Sequence, residues 1–230
     1  MTILVLTGLQ RECRLLAGPG IEVLAGGGDA RRLEAQAERL ASSAVAIASM
    51  GIAGGLAPGL RAGQWVVADT VLDGAATFAT DVAWSERLAR HLPGATRGRL
   101  LGRDDMAATA AEKTALHRAS GALAVDMESH VAARVAARHR LPFAVARVLS
   151  DGAGRTLPPA ARVGLGRDGA IDLKAVLGSL LSAPWQLPAL VRTGLEAERG
   201  FRALARARRR LGPRLGLVGA NLGELPVDMA

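Results

Sequence analysis

Over its first two-thirds the chain alternates short, continuous apolar runs with longer stretches of mixed polarity. Residues 3–6 read as a buried strand ending at Thr7-Gly8, residues 21–24 as a second strand closed by Gly26-Gly27-Gly28-Asp29, and residues 45–48 as a third running into a glycine-rich turn. Strands are also expected at 65–68 and 123–125. The most apolar run, 143–149, follows Leu141-Pro142. Helical patterns lie between them: 30–41, with Leu33, Ala37 and Leu40 on one face, then 81–91, 107–119 and 128–140. Apolar strands alternating with helices predict a three-layer α/β sandwich with a mostly parallel or mixed central sheet. No internal repeat or low-complexity tract interrupts the pattern.

The last third has a different texture. From Ala175 to Val191 seventeen residues pass without a charge, but Pro184, Pro188, Gln186 and two serines break the run, so it falls short of a membrane span. A helix follows with Leu190, Leu195, Phe201, Leu204 and Leu211 near one face and arginines around the rest. Two readings stand: a terminal helix packed on the domain, or a basic amphipathic helix lying on an anionic membrane. The expected organisation is one α/β domain over 1–170, an apolar and basic helical segment over 171–214, packed on it or facing membrane, and a tail over 215–230.

Composition narrows the classes. With 230 residues, 50% hydrophobic and 22% charged, the chain buries one sizeable core and is not a disordered polymer. Its net charge of +8 suggests nucleic acid until it is located. Eight arginines between Arg192 and Arg214 face only Glu196 and Glu198, so six of the excess charges belong to the terminal segment. Three Trp, three Phe and no Tyr supply a base-stacking surface poorly, and no nucleic-acid partner is expected. The single cysteine, Cys13, excludes a disulfide framework and a cysteine-based zinc site. With no charged-then-apolar leader after Met1, it fits a reducing cytoplasm.

In open α/β sheets, ligands bind beyond the carboxyl ends of the strands. Three acidic residues fall there: Glu12 just after the first strand, Glu128 at the strand-to-helix turn Met127-Glu128, and Asp151, which closes the most apolar strand together with Ser150. Each alone is better read as a helix-end charge or cap. Together they are aimed at one crevice and offer an acid, a base and a hydroxyl-binding group.

Four blocks around these residues resemble the nucleoside phosphorylase and nucleosidase superfamily, particularly its methylthioadenosine/S-adenosylhomocysteine nucleosidase branch. They are Thr7-Gly8-Leu9-Gln10-Arg11-Glu12; Met50-Gly51-Ile52-Ala53-Gly54-Gly55-Leu56 followed by Gly63-Gln64-Trp65-Val66-Val67; Val125-Asp126-Met127-Glu128-Ser129; and Arg147-Val148-Leu149-Ser150-Asp151. They occur in that order over about 1–155. The stretch from Val125 to Ala133, and Leu157-Pro158-Pro159-Ala160-Ala161, look typical of the hopanoid-associated phosphorylase group within it. That resemblance implies a substrate, adenosylhopane, a nucleoside whose ribose is joined to a triterpenoid lipid. It implies cleavage to adenine and ribosylhopane, or its phosphate, in hopanoid biosynthesis. It also implies a homodimer without a cofactor, and a lipid-linked substrate taken together with the basic apolar C-terminal segment raises the expectation of a cytoplasmic protein in peripheral contact with the inner face of the membrane.

Carried over residue by residue, the resemblance makes Asp151 the acid that protonates the leaving purine, which a carboxyl does only where its surroundings hold a proton on it near the working pH. Glu128 accepts both ribose hydroxyls, Met127 packs on the sugar, Ser150 orients Asp151, and Gly54 belongs to the ribose loop. Glu12 activates water on the opposite face, the layout of an inverting glycosidase. Phosphorolysis would need an anion site for phosphate as co-substrate. Here Ser49, Met50 and Ile52 stand where related phosphorylases place arginine and Ser or Thr. The Ile52 side chain binds neither anion nor water, and Glu12 repels a dianion, so hydrolysis is favoured. Backbone N–H groups at Gly26-Gly27-Gly28 keep phosphorolysis open, and turnover of a soluble methylthioadenosine-type substrate is a further alternative. Gly102-Arg103-Asp104-Asp105-Met106 falls where the nucleosidases present an aromatic residue to the base. Met106 is then an apolar contact or ordinary core, and Asp104 a candidate partner for the purine edge.

Other motifs fail on context. Gly164-Leu165-Gly166-Arg167-Asp168-Gly169 fits the dinucleotide fingerprint, but no strand leads into it and it reads as a loop. His91, His117, His130 and His139 lack chelating spacing, and Cys13 reads as a small buried hydrophobe. A non-enzymatic basic binding protein is disfavoured because all three carboxylates are present.

Overall fold

The computed structural model describes residues 2–163, 166, 169–170 and 172–217. Eight strands form one mixed sheet: β1 (Thr2–Thr7), β2 (Ile21–Ala25), β3 (Ala44–Gly55), β4 (Trp65–Asp73), β5 (Ala76–Ala79), β6 (Thr96–Gly102), β7 (Ala124–Asp126) and β8 (Phe143–Asp151). Helices α1 (Gln10–Leu16), α2 (Ala30–Ala41), α3 (Val82–His91), α4 (Ala110–Ser120) and α5 (Ser129–His139) lie between them. Their starts are chemically marked. The side chains of Asp29, Asp81 and Thr109 accept the N–H groups of Arg32, Trp84 and Glu112 at 3.0, 2.7 and 3.1 Å, satisfying donors that the first helical turn leaves unpaired.

The predicted α/β class with a mixed central sheet holds. Alternation along β1 sends Ile3 and Val5 to a core shared with α1, α3 and the C-terminal helix, and Leu4 and Leu6 to a second core under α2 and α5. The sheet also closes on itself. β3 pairs β8 in parallel, β8 pairs β4 antiparallel, β4 and β6 then β6 and β7 run parallel, and β7 returns antiparallel to β3.

β3 corrects the expected turn after residue 48, because the strand continues to Gly55. Its glycines leave room for the close approaches that ring closure needs. Gly54 is opposite both Val125 of β7 and Asp151 of β8, and a Cβ at Gly55 would fall 2.9 Å from the Asp151 carbonyl.

The C-terminal third continues through α6 (Pro159–Val163), α7 (Leu173–Ser182), a 3-10 turn (Pro184–Gln186) and α8 (Leu187–Leu211). The single apolar face expected for the last helix divides. Phe201, Leu204 and Leu211 are buried, whereas Leu195 is 60% exposed. α8 seats on the sheet at Gly200, where a Cβ would lie 3.2 Å from Ile52 Cγ2, and its N-terminal half carries its apolar side chains to the surface. Leu173, Leu177, Leu181, Trp185, Val191 and Leu195 are all exposed. Among the described residues no helix is long and apolar enough to cross a membrane. Leu215, at the start of the expected tail, is fully buried and its carbonyl accepts Trp84 Nε1 at 2.9 Å. Residues 218–230 lie outside the described residues.

Candidate active site

Glu12 occupies the first turn of α1 and is fully buried. Its Oε2 accepts the N–H groups of Gly8 at 2.9 Å and Leu9 at 2.8 Å and the hydroxyl of Thr7. Its Oε1 accepts the N–H of Ile52 at 2.6 Å. These donors fix both oxygens of the side chain in place. With three donors on one oxygen and one on the other, the spare acceptor capacity lies on Oε1, the atom that can take a proton from water. Ile52 therefore serves the site through its main chain, while its side chain packs against the core beneath α8.

Beside Glu12 lies a buried charge cluster centred on Arg147, which is fully buried in the middle of β8. Its Nε is 2.6 Å from Asp126 Oδ2, and its Nη2 is 3.2 Å from Glu128 Oε2 and donates to Ser49 Oγ at 2.5 Å. The Asp126 contact is an ion pair rather than an in-line hydrogen bond. Asp126 also accepts the N–H groups of Glu128 and Ser129 at 3.2 and 2.9 Å, fixing the turn from β7 into α5. Burial disfavours the charged form of Arg147, but Asp126, Glu128 and Glu12 outweigh it and hold the guanidinium further above its ordinary value. The Glu128 carboxyl is pushed up to about 8. Burial is the main cause, Arg147 opposes it, and Asp126 and Glu12 add to it. Met127 is half-buried at the same turn.

Asp151 ends β8, 3% exposed. Ser150 Oγ lies 2.9 Å from its Oδ1 and 3.2 Å from the Ala53 carbonyl, two acceptors that share its one hydroxyl proton. Its Oδ2 accepts the buried ammonium of Lys113 from α4. Gly51 marks the Glu12 end of β3, where a Cβ would fall 2.6 Å from Glu12 Oε1. Gly54 marks the Asp151 end, where it would lie 3.7 Å from Asp151 Oδ1. Three residue steps along the strand separate the two glycines, about 10 Å. A carboxylate thus stands at each end of one glycine-lined strand segment.

The region of Met106 and Asp104 is more open. Met106 is half-buried and lines a cleft of about 620 Å³ with Arg103, Asp105, Glu112, Pro159 and Val163. Asp104 is exposed and bonds His130 Nε2 at 2.9 Å, which gives its carboxylate a protein partner. The glycine triplet is committed in part: Gly26 and Gly27 donate to the carbonyls of Thr7 and Gly8 at 2.7 and 2.9 Å, so those two N–H groups are not open to an anion. Of the fingerprint-like segment, Gly164, Leu165, Arg167 and Asp168 lie outside the described residues. Gly166 and Gly169 form a turn whose Gly169 carbonyl accepts the N–H of Gln10. Cys13 is half-buried, and burial together with Glu12 pushes its thiol up to about 11, so thiolate is scarce. Arg147, Asp126, Thr7 and Lys113 complete the cluster and have no role assigned from sequence. Only Arg147, a charge inside an apolar run, carried a visible signal.

The chain thus folds as a closed mixed ring flanked by helices, with buried carboxylates at strand ends. Residues 30–181 match the family model of the Phosphorylase superfamily, and the chain belongs to that superfamily. Solved structures share the fold. A 5'-methylthioadenosine/S-adenosylhomocysteine nucleosidase from S. pneumoniae, bound to a transition-state inhibitor, matches with a TM-score of 0.63 and 17% identity over 92% of this chain and 100% of that one. A point mutant of the Helicobacter pylori enzyme, with 5'-methylthioadenosine in its active site, gives 0.61 and 13% over 88% and 96%. The Streptococcus pyogenes S-adenosylhomocysteine nucleosidase gives 0.58 and 20% over 85% and 96%. Among curated proteins none matches the chain.

Proposed function

We propose that the protein hydrolyses the N-glycosidic bond of adenosylhopane, releasing adenine and ribosylhopane. The observation that carries hydrolysis is the Glu12 carboxylate held by four donors at one end of the Gly51–Gly54 segment, with Asp151 at the other end. Asp151 protonates the purine, Glu12 takes the proton from water, Glu128 binds the ribose hydroxyls and Met127 packs on the sugar. Arg147, the cation of the cluster, is already shared among Asp126, Glu128 and Ser49, which disfavours a phosphate dianion beside three carboxylates. Water is then the nucleophile and no cofactor is required.

The lipid part of the substrate rests on the sequence resemblance and on the exposed apolar side chains of α7 and the first half of α8. These would meet the inner face of the membrane, while the arginines that follow suit anionic headgroups. A cytoplasmic homodimer is part of the same proposal. A soluble methylthioadenosine-type substrate is the second reading, favoured by the likeness to nucleosidases solved with such ligands.

Adenine release from adenosylhopane in detergent and from methylthioadenosine, each with and without phosphate, tests all three. Phosphate-independent release that Asp151→Asn abolishes supports hydrolysis. Release only with phosphate replaces it with phosphorolysis. Turnover of methylthioadenosine alone removes the lipid. The membrane contact has its own test. Leu181→Ser with Trp185→Ser, at positions 86% and 79% exposed, leaves the melting temperature unchanged and lowers co-flotation with anionic vesicles.

A further inference from the structure

Lys113 belongs to none of the four blocks, yet it is in direct contact with Asp151. It lies one turn into α4 with a fully buried side chain, and its ammonium donates to Asp151 Oδ2, to the Arg155 carbonyl at 3.1 Å and to the Gly152 carbonyl at 3.4 Å. Each of its three N–H bonds therefore has an acceptor. The surroundings hold it there. Leu157 N–H donates to the Ala108 carbonyl at 2.8 Å and Ala110 N–H to Thr156 Oγ1 at 3.1 Å, lacing the start of α4 to the loop after β8.

Composition adds an independent observation. Of 29 basic residues in the chain only Lys113 and Lys174 are lysines. A sequence that otherwise writes positive charge as arginine places a lysine at this buried position. Both side chains supply a charge. What lysine has and arginine lacks is a proton it can give up inside a protein.

We propose that Lys113 is a positioning residue for the cleavage and, acting through Asp151, the source of the proton that leaves with the purine. The proposal rests on reading Asp151 as the group that protonates the base. One proton travels. An N–H bond of the Lys113 ammonium breaks as Asp151 takes the proton. Asp151 hands it to a ring nitrogen of the purine while the glycosidic C–N bond breaks, its electron pair going to the purine. Water adds to the ribosyl carbon and its proton goes to Glu12. Lys113 is left as a neutral amine. After the products depart it takes a proton from solvent, and Glu12 releases one.

The test compares leaving groups in the full chain. A purine nucleoside needs a proton to depart, whereas 4-nitrophenyl riboside expels a stable anion and needs none. Lys113→Met is expected to lose about 10²–10⁴-fold in kcat on the purine nucleoside, as is Asp151→Asn, and to stay within about threefold of wild type on the nitrophenyl riboside. That retained activity also certifies that the variant is folded. Lys113→Arg keeps the charge without a transferable proton and is expected to behave like Lys113→Met. Restoration of purine cleavage by Lys113→Arg would reduce Lys113 to a charge that holds Asp151. Equal loss on both substrates in Lys113→Met would reduce it to scaffold, and undiminished purine cleavage would remove it from the reaction. A wild type that cleaves neither compound would instead overturn the reading of the site itself.

Discussion

The main-chain N–H of Ile52 meets Glu12 Oε1 at 2.6 Å, joining the first turn of α1 to the C-terminal part of β3 across forty residues of sequence. The contact depends on Gly51, where a Cβ would fall 2.6 Å from the same oxygen and 2.8 Å from both Thr7 Oγ1 and Arg147 Nη1, at a φ of +152°. Gly51→Ala forces the carboxylate and the guanidinium apart. The expected outcome is a loss of about 1–3 kcal/mol in stability, the usual cost of overpacking. Displacing a group that works by position also lowers cleavage by at least about tenfold. A thermal melt and an adenine-release assay on the same preparation check both, and an unchanged rate would mean that Glu12 is not positioned for catalysis.

The side chain of Ile52 leads to the opposite expectation. It packs beneath α8, and only its N–H faces Glu12. Ile52→Thr keeps that N–H and costs about 1–3 kcal/mol for placing a hydroxyl in an apolar setting. Its kcat for nucleoside cleavage is expected to stay near wild type and independent of phosphate. A rate that becomes phosphate-dependent would put the side chain in the site and reopen phosphorolysis.

What the sequence disclosed follows from the range of the forces involved. The stretch at 30–41 coincides with α2, because an amphipathic period and an Asp29 cap are local features. β6 was hidden because Arg97 and Arg99 interrupt its apolar residues and face outward, and β5 because it is a short, largely exposed edge. The carboxylates could be placed at strand ends, but their partners could not. Glu12 is held mostly by main-chain N–H groups, which leave no mark in side-chain pattern. Lys113 reads as an ordinary surface lysine on a helix until the fold brings Asp151, 38 residues away, against it. Asp104 illustrates the converse: its place in a motif suggested the purine edge, while its contact is with His130.

Arg147 is the only cation that the structure brings against Asp126 and Glu128 among the described residues. Arg147→Met leaves these carboxylates and Glu12 buried without it, an uncompensated charge worth about 3–5 kcal/mol. The loss should depend on pH in a definite direction. Arg147 opposes protonation of Glu128, so without it the folded variant holds that proton more tightly than wild type and its deficit shrinks as pH falls. Urea unfolding of both proteins at pH 5 and pH 8 checks this. A deficit equal at both pH values would mean that Arg147 acts by packing alone.

Glu128 gives the wild type its own pH signature. Burial pushes its carboxyl up to about 8 in the folded protein, while the unfolded chain titrates near the ordinary value of 4.5. Between those values the folded state holds a proton that the unfolded state has released, so the favourable contribution of this group is complete below about 4.5 and is lost as pH rises through about 8. Stability is therefore expected to decline over this window and to level off above it. Glu128→Gln, which cannot titrate, should decline less steeply over the same range, and parallel curves for the two proteins would assign the slope to other groups. Function should move the other way. A carboxylate accepts both ribose hydroxyls, whereas a carboxylic acid must turn one of its oxygens into a donor. KM for the nucleoside is accordingly expected to fall as pH approaches 8 in the wild type and to stay flat in Glu128→Gln. The gain in binding and the loss in stability then trace to one ionisation.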